Sequence, residues 1–480
     1  MKPAVRILFL LILFPFPAGS QEPFIRKFLS DSSLTNALVS LTIIDSHTGG
    51  IVASWNSKKV LTGASVTKLL TTAAALELLG PDYRFKTSVG YTGEFSGKNG
   101  VLNGDLVISG GGDPSLGSER FPQYYKDIFE IWTIAVKDYG IRKISGRVLT
   151  DDTRYDYEPV PGGWVWEDIG NYYGAGVYGL SLYDNILKII FRTSGEGTVP
   201  LIIGTDPPET GINYVNFLTA SGNSDQGYVF TAPYSSQGWI SGSIPVNRNN
   251  FELKASIPDP PLLAANLLTE KLIKEGVKIS GKPSTFRLDK ISGKIFLIPE
   301  SEIESPPLRE IIKVLNSESV NLYAEHLLKE IGLVVMGKGT AEAGIEAIKE
   351  FLGRAGIDCA GLSLTDGSGL SPGNLLNSEI LAKLLLYMKE HSRNYDIFFS
   401  SLPAAGKEGT LKNAFRDTLF DGRLRAKSGS MTRVKSFAGY LTTSSGMEMI
   451  FSIIINGYTG TQAAVTARIE EILKHIIMNY

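Results

Sequence analysis

Apolar and polar positions along the chain predict one domain that is interrupted by a long insertion. Residues 37–45 and 51–56 are apolar-rich runs around a Gly-Gly turn, which predicts a β-hairpin. The run that ends at Gly80 combines helix-forming residues with a glycine stop, which predicts a helix. From about residue 83 to 258, short β-like runs alternate with Gly- and Asp-rich turns. The pattern after residue 258 again resembles the pattern before residue 83.

The last part of the chain alternates predicted helices with strands and ends in an amphipathic helix. Apolar spacing predicts helices over residues 262–275, 308–315, 321–331, 341–353, 378–391 and 462–477, and strands over residues 437–441 and 447–456. The last helix has an apolar stripe made of Val465, Ile469, Ile472, Leu473 and Ile476. Such a stripe suits either a membrane surface or packing against a sheet. The mixed charges on its polar side favour packing.

The N-terminus has the layout of a secretory signal peptide. Lys2 and Arg6 frame the basic start, residues 7–16 are largely apolar, and Pro-Ala-Gly-Ser follows. The alternative is an N-terminal membrane anchor, but the run is short for spanning a bilayer. We predict cleavage after Ser20, so that residues 1–20 are a signal peptide. We expect an exported protein with no transmembrane segment in the mature chain.

Composition predicts a globular protein of two or three domains without a bound cofactor. The 480 residues are 43% hydrophobic and 20% charged. Removal of residues 1–20 takes away Lys2 and Arg6, so the net charge changes from −2 to −4. This mild acidity gives no reason to expect nucleic-acid binding. Cys359 is the single cysteine and no two of the four histidines have metal-type spacing, so we expect no metal site.

Ser65 and Lys68 are the first candidates for catalysis. Residues three apart on a helix are neighbours, so the Lys68 amine should lie beside the Ser65 hydroxyl. A serine hydroxyl needs an adjacent base to act as a nucleophile, and a lysine whose charge is disfavoured can be that base. The simpler interpretation is a surface serine beside a solvated lysine. Lys68 is, however, the only lysine in the chain with a serine three positions before it.

Two later motifs complete a catalytic pattern. Ser319 and Asn321 form a Ser-x-Asn on a predicted turn between two helices, 254 positions after Ser65. Lys427-Ser428-Gly429 is the only Lys-Ser/Thr-Gly in the chain and precedes the last two predicted strands. Ser-x-x-Lys, Ser-x-Asn and Lys-Thr-Gly together mark penicillin-binding proteins and class A β-lactamases.

Each motif residue has an expected role in acyl transfer. Ser65 is the expected nucleophile and Lys68 its base, Ser319 passes a proton to the leaving amine, and Asn321 holds Lys68 or a substrate amide. Substrate binding is expected from Lys427, Ser428, Gly429, Ser430 and Met431. The lysine and the hydroxyls of Ser428 and Ser430 suit a terminal carboxylate. The backbone N–H groups of Ser65 and Ser430 suit an oxyanion.

Two stretches of the predicted insertion have a structural and a functional interpretation. Gly110-Gly111-Gly112 could suggest a phosphate loop, but no Gly-Lys-Ser/Thr follows, which favours a turn that closes a strand. The aromatic stretch from Trp164 to Tyr178 could form a platform for sugars. The core and rim of a β domain is the simpler interpretation of that stretch.

Over nearly the whole mature chain the sequence resembles the class C low-molecular-mass penicillin-binding proteins, the D-alanyl-D-alanine carboxypeptidase/endopeptidases. The segments that carry the resemblance include residues 68–76, 104–116, 319–325, 366–372, 401–406, 409–412 and 425–430. Two departures are mild: Ser428 stands where the family usually has Thr, and Val320 stands where Asp is frequent. Ser428 keeps the hydroxyl, so we expect the site to work.

The resemblance implies an α+β fold. A transpeptidase/β-lactamase-like domain, an antiparallel sheet sandwiched by helices, would be formed by residues 21–85 and 258–480. Residues 86–257 would be the inserted β-rich region, built as two nested domains. Met431 and an aspartate of the insertion, Asp151 or Asp152, would line the pocket for the diamino acid of the stem peptide.

The function that the resemblance implies is serine-type D-Ala-D-Ala carboxypeptidase or endopeptidase activity. The enzyme would cleave peptidoglycan stem peptides through an acyl-enzyme on Ser65, and β-lactams would acylate the same serine. We expect export to the bacterial periplasm or cell envelope. A serine β-lactamase with the same nucleophile and a non-catalytic cell-wall-binding protein are the alternatives.

Overall fold

The protein is described by a computed structural model that covers residues 22–208, 211–289 and 293–480. The predicted signal peptide, residues 1–20, lies outside the described residues. In the part of the chain that is described, no helix combines the length and the apolar character needed to cross a membrane.

The described chain contains α-helices and β-strands in a mixed order. The helices are α1 (Glu22–Leu29), α2 (Lys68–Leu78), α3 (Ile128–Asp138), α4 (Trp166–Ile169), α5 (Pro260–Lys274), α6 (Leu308–Glu318), α7 (Asn321–Met336), α8 (Ala341–Arg354), α9 (Ser378–His391), α10 (Tyr395–Ser401) and α11 (Gln462–Asn479). The strands are β1 (Leu38–Asp45), β2 (Ile51–Trp55), β3 (Leu61–Thr62), β4 (Lys86–Tyr91), β5 (Glu94–Ser96), β6 (Val101–Asn103), β7 (Leu106–Ser109), β8 (Lys143–Ile144), β9 (Val148–Asp151), β10 (Ile186–Arg192), β11 (Leu201–Asp206), β12 (Asn213–Ala220), β13 (Gln226–Thr231), β14 (Gln237–Ile244), β15 (Phe251–Ser256), β16 (Lys278–Ile279), β17 (Ser284–Thr285), β18 (Phe296–Leu297), β19 (Ile303–Glu304), β20 (Leu375–Leu376), β21 (Leu424–Met431), β22 (Val434–Thr442) and β23 (Glu448–Asn456).

A five-stranded antiparallel sheet forms the centre of the catalytic domain. Its strand order is β2-β1-β23-β22-β21, so β1 of the N-terminal hairpin pairs with β23, the last of the three C-terminal strands. Strand β23 is apolar at nearly every position because both of its faces are covered. Ile450 and Ile454 belong to one apolar core, whereas Phe451 and Ile453 belong to a second core on the other face.

Helices cover both faces of this sheet, which confirms the predicted α+β sandwich. The face of Ile450 packs against the core that contains the apolar side chains of α2, α7 and α9. The opposite face packs against α1 and α11. The apolar stripe on α11 faces this second core, and Ile469 is completely buried there. Helix α11 is therefore a packing helix.

Residues 278–304, which follow the predicted insertion in the chain, pair with strands of that insertion. Strands β16 and β17 pair with β8 and β9, and β18 and β19 pair with β4. We therefore propose that residues 278–304 extend the inserted region beyond the boundary expected at residue 258. Asp259 caps α5 at Leu262, and two prolines occupy the first helical turn. The proline-rich break thus marks the start of a helix inside the inserted region.

A β-sandwich is nested inside this inserted region. Strands β10, β11 and β15 form one three-stranded sheet, and β12, β13 and β14 form another. Their facing sides enclose a separate core that includes Leu187, Phe191, Val229 and Ile240. The remainder of the insertion shares a continuous core with α2 and α7. The insertion therefore packs against the catalytic domain as part of one hydrophobic unit.

Candidate active site

Ser65 lies on a short 3₁₀ turn, Ala64–Thr67, immediately before α2. The sequence predicts an α-helix at this point, and the tighter turn changes how the side chains align. Side chains three apart are eclipsed on a 3₁₀ helix, so Lys68 is directly beside Ser65. The Lys68 Nζ atom lies 3.1 Å from the Ser65 Oγ atom. Ser65 is partly accessible, whereas Lys68 is completely buried.

The Lys68 amine is held by groups from three separate parts of the chain. Besides Ser65, it donates to Asn321 Oδ1 at 2.6 Å and to the Ser368 carbonyl at 2.6 Å. Burial lowers the pKa of Lys68 from 10.5 to about 7, although the charges of Asp366 and Glu325 act in the opposite direction. A substantial fraction of the amine is therefore neutral near pH 7 and able to accept a proton.

The loop that carries Ser368 is fixed by buried carboxylates. Glu325, one helical turn after Asn321 on α7, accepts from the backbone N–H groups of Gly367 at 3.0 Å and Ser368 at 2.7 Å. Burial raises the pKa of Glu325 above its ordinary value. Asp366 accepts from the N–H groups of Gly369 and Ser371 and from the Asn374 amide, each at 2.7 Å. These bonds aim the Ser368 carbonyl at Lys68.

Ser319 and Lys427 form the other side of the site. Ser319 has left-handed backbone angles at the end of α6, which let the next helix start two residues later. The Lys427 Nζ atom donates to Ser319 Oγ at 2.8 Å and to the Ser428 carbonyl at 2.9 Å. Burial, together with the positive charges of Lys68 and Lys435, lowers the pKa of Lys427 well below its ordinary value.

Strand β21 passes close to the Ser65 turn because position 429 is a glycine. A Cβ atom on Gly429 would lie 2.3 Å from the Ser436 hydroxyl, 2.8 Å from the Gly63 carbonyl and 3.0 Å from the Ser65 nitrogen. Ser436 itself donates to the Gly63 carbonyl at 2.6 Å. The glycine therefore allows the edge strand to approach the nucleophile.

The other predicted binding residues follow along the same strand. Ser428 Oγ donates to the Thr410 hydroxyl at 2.8 Å, and Ser430 Oγ accepts from Lys435 Nζ at 2.7 Å. Met431 is half-buried at the end of β21. Asp152, by contrast, is buried and accepts hydrogen bonds from Tyr157 and from the backbone of Arg287, all within the inserted region.

The insertion contributes to the site through two residues, Trp164 and Tyr173. The Tyr173 carbonyl accepts from the Asn321 amide at 2.8 Å and thereby orients the oxygen of Asn321 towards Lys68. Trp164 Nε1 donates to Asp366 at 2.9 Å. The inserted region is thus a structural support for two groups that position the lysine.

Several residues of this constellation are not predicted as site residues from the sequence. Glu325 lies four positions after Asn321, and this helical spacing is a signal that could have found it. Asp366 and Ser368 lie in an Asp-Gly-Ser-Gly turn, whose glycines signal a close backbone contact. A Cβ atom on Gly369 would lie 2.1 Å from the Ala64 carbonyl. Nothing in the local sequence indicates Tyr173. Its contribution is a backbone carbonyl, which every residue has, and only the fold brings it to the Asn321 amide.

Comparison with known proteins agrees with this geometry. The family model described as the D-Ala-D-Ala carboxypeptidase 3 (S13) family matches residues 22–476. The chain belongs to this family. S13 peptidases are serine hydrolases, and this chain is accordingly a serine peptidase that acts on peptidoglycan. Family membership favours the peptidase over the two alternatives, a β-lactamase and a non-catalytic cell-wall-binding protein.

Individual relatives extend over most of this S13 chain. It is 30% identical over 473 residues to the D-alanyl-D-alanine carboxypeptidase of Actinomadura sp. (strain R39), covering 94% of this chain and 84% of the relative. The structure of penicillin binding protein 4 (dacB) from Haemophilus influenzae matches with a TM-score of 0.80 at 22% identity, covering 95% of this chain and 99% of the other. A structure of that protein complexed with a β-lactam matches with a TM-score of 0.73 at 22% identity, covering 92% and 97%.

We predict that Gly369→Ala destabilises the S13 fold and lowers its activity. Gly369 has a φ of +79°, and the added Cβ atom would overlap the Ala64 carbonyl beside the nucleophile. The backbone strain alone should lower the free energy of unfolding by about 1–3 kcal/mol, measured by denaturant titration. Gly353→Ala on α8 is the control, because no atom lies within 4 Å of its Cβ position. Equal stability of both variants would contradict the prediction.

Proposed function

We propose that this chain is a D-Ala-D-Ala carboxypeptidase and endopeptidase whose nucleophile is Ser65. The observation that carries the proposal is the buried Lys68 amine, which lies within hydrogen-bond distance of Ser65, Asn321 and Ser368. An amine with a pKa of about 7 can take the serine proton at neutral pH.

In the acylation step, the Ser65 oxygen attacks the carbonyl carbon of the peptide bond before the terminal D-Ala. The Lys68 amine accepts the hydroxyl proton as the bond forms. The C–N bond then breaks, and the leaving amine takes up the proton held by Lys68, relayed through Ser319, whose hydroxyl lies 2.8 Å from Lys427. Water then attacks the ester carbon and gives one proton to the neutral Lys68 amine. The C–O bond to Ser65 breaks, the shortened peptide leaves with a new carboxyl group, and the proton passes from Lys68 to the Ser65 oxygen.

The peptide oxyanion and the terminal carboxylate would be held by β21. The close approach of Gly429 to the Ser65 nitrogen supports an oxyanion hole made from the backbone N–H groups of Ser65 and Ser430. Ser428 and Ser430 offer hydroxyls, and Lys427 adds positive charge when it is protonated. Met431, at the end of the strand, would border the pocket for the stem-peptide side chain.

β-Lactams would acylate the same serine. Their strained ring presents an amide carbonyl to Ser65 in place of the substrate amide, and opening of the ring gives an ester on the same oxygen. The β-lactam complex of the Haemophilus influenzae relative supports this proposal for the shared fold. The basic and apolar N-terminal segment supports export to the bacterial periplasm or cell envelope, where peptidoglycan lies.

We expect Ser65→Ala to abolish both labelling and hydrolysis. The purified variant should show no covalent adduct with fluorescent penicillin and no conversion of peptidoglycan fragments in mass spectrometry. Loss of one D-Ala from pentapeptides would report carboxypeptidase activity, and cleavage of cross-linked dimers would report endopeptidase activity. Ser54→Ala, on an exposed position of β2, is the control and should react normally. An adduct on the Ser65→Ala protein, or steady turnover of a chromogenic cephalosporin by the wild type, would contradict the proposal.

The pH dependence of kcat/KM should follow the ionisation of Lys68. The neutral amine is the active form, so kcat/KM for a D-Ala-D-Ala peptide should fall about tenfold per unit below pH 7 and level off above it. Lys68→Arg stays protonated and should be inactive throughout this range. Burial lowers the pKa of Lys435 to about 8, so Lys435→Met tests this second lysine; its rate can change through Ser430, but the midpoint of the profile should stay in place. A shift of this midpoint in Lys435→Met would show that Lys435, and not Lys68, is the group that titrates.

Ser428→Ala should weaken recognition of a free terminal carboxylate. Loss of a hydrogen bond to a charged group costs about 1.5–3 kcal/mol, which corresponds to a decrease in kcat/KM of roughly tenfold to a hundredfold. The same substitution should change kcat/KM far less for a peptide with an amidated C-terminus. An equal decrease in kcat/KM for both peptides, measured beside the Ser54→Ala control, would show that Ser428 does not bind the terminal carboxylate.

A further inference from the structure

The outer face of the nested sheet formed by β12, β14 and β13 is exposed and aromatic. Trp239 on β14 lies between Val215 and Phe230 of the neighbouring strands. Ser241, the next β14 residue on the same face, lies between Phe217 and Tyr228. Trp239 is 40% exposed, Tyr228 is 43% exposed and Phe217 is 64% exposed. Contiguous exposed apolar groups on a soluble fold mark interaction surfaces.

The same face carries hydrogen-bonding groups but no charge. The sheet side opposite to the sandwich core consists of Asn213, Val215, Phe217, Thr219, Gln226, Tyr228, Phe230, Gln237, Trp239, Ser241 and Ser243. Amide and hydroxyl groups thus alternate with ring faces. Such a surface suits a neutral ligand that has both C–H faces and hydroxyl or amide groups.

Trp166 extends the aromatic surface towards the active site. Its ring centroid lies 5.9 Å from that of Trp239, and Trp239 in turn stacks on Phe230 at 5.3 Å with an angle of 10°. Trp166 is 47% exposed although it lies on a short helix between two segments that contact the catalytic domain. The rings of Trp166, Trp239 and Phe230 therefore form a continuous row on the surface.

The segment that carries Trp166 joins this surface to the catalytic centre. Trp164 donates to Asp366 at 2.9 Å, and the Tyr173 carbonyl accepts from Asn321 at 2.8 Å. Asn171, between them, accepts from the backbone N–H of Val229 on β13 at 3.2 Å. A polymer bound on the sheet would therefore lie beside the residues that position Lys68.

We propose that the outer face of this sheet, together with Trp166, binds the glycan strand of peptidoglycan. The inference rests on the peptidoglycan activity, because the stem peptides cleaved at Ser65 are attached covalently to that glycan. Its linked N-acetylated amino sugars present C–H faces for the rings and hydroxyl and amide groups for Gln, Asn, Ser and Thr. The uncharged character of the face favours neutral sugar rings over a charged protein partner.

Binding of the glycan would raise the local concentration of stem peptides at the active site. A second contact on a linked ligand increases apparent affinity without any change in the catalytic residues. The effect should be seen for polymeric substrate and not for a free stem peptide. This difference separates a glycan surface from a role in folding or chemistry.

The test uses the full-length protein with Trp166→Ala and Trp239→Ala, each also made as the Phe variant. Binding is measured by calorimetry with chitohexaose and by co-sedimentation with peptide-free glycan strands, all in a Ser65→Ala background so that no turnover is needed. Ile134→Ala on α3 is the control, because Ile134 is 49% exposed and lies on a different surface. Hydrolysis of a free stem pentapeptide and of intact sacculi is measured with Ser65 restored, and thermal melting checks the fold.

We expect each alanine variant to weaken glycan binding by about tenfold, with the Phe variants in between, and to slow hydrolysis of sacculi while pentapeptide hydrolysis stays unchanged. Wild-type protein that binds neither probe, or alanine variants that bind as the Ile134 control does, would overturn the glycan proposal. Binding that persists while the wild type fails to cleave pentapeptide would instead contradict the proposed peptidase role and leave the glycan surface supported.

Discussion

The structure depends on keeping one lysine amine buried and partly neutral beside a serine. Burying an amine without hydrogen-bond partners costs free energy. The fold therefore surrounds Lys68 with hydrogen-bond acceptors while limiting its contact with water. The charges of Glu325 and Asp366 raise the pKa of Lys68 against the effect of burial, and both carboxylates accept hydrogen bonds from the backbone of the loop that carries Ser368. The pKa of about 7 is the balance of these opposing effects.

That balance explains why the catalytic groups come from distant parts of the chain. Local helical structure places Ser65 next to Lys68. The other hydrogen-bond acceptors of the Lys68 amine must come from segments that pack against this helix. Helix α7 supplies Asn321 and Glu325, and the loop after α8 supplies the Ser368 carbonyl. The edge strand β21 closes the remaining side, and Gly429 permits its approach.

The inserted region also helps to position the groups that surround Lys68. It shares a continuous core with α2 and α7, and its segment 164–173 bonds to both the loop at Asp366 and the amide of Asn321. Movement of the insertion relative to the catalytic domain would therefore change the surroundings of Lys68. The nested sandwich, which has its own core, is joined to the same segment and projects an uncharged aromatic face beside it.

Features that depend on neighbours along the chain could be predicted from the sequence. Apolar spacing predicted the N-terminal hairpin, most helices and the packing stripe of α11, and short motifs predicted Ser65, Lys68, Ser319, Asn321 and Lys427. The tertiary structure was needed to show that residues 278–304 pair with strands 135 to 218 positions earlier. It also decided that Glu325, Ser368 and the Tyr173 carbonyl orient the lysine. Long-range strand pairing and backbone acceptors leave no local pattern, since they depend on where the folded chain brings two segments together rather than on either segment alone.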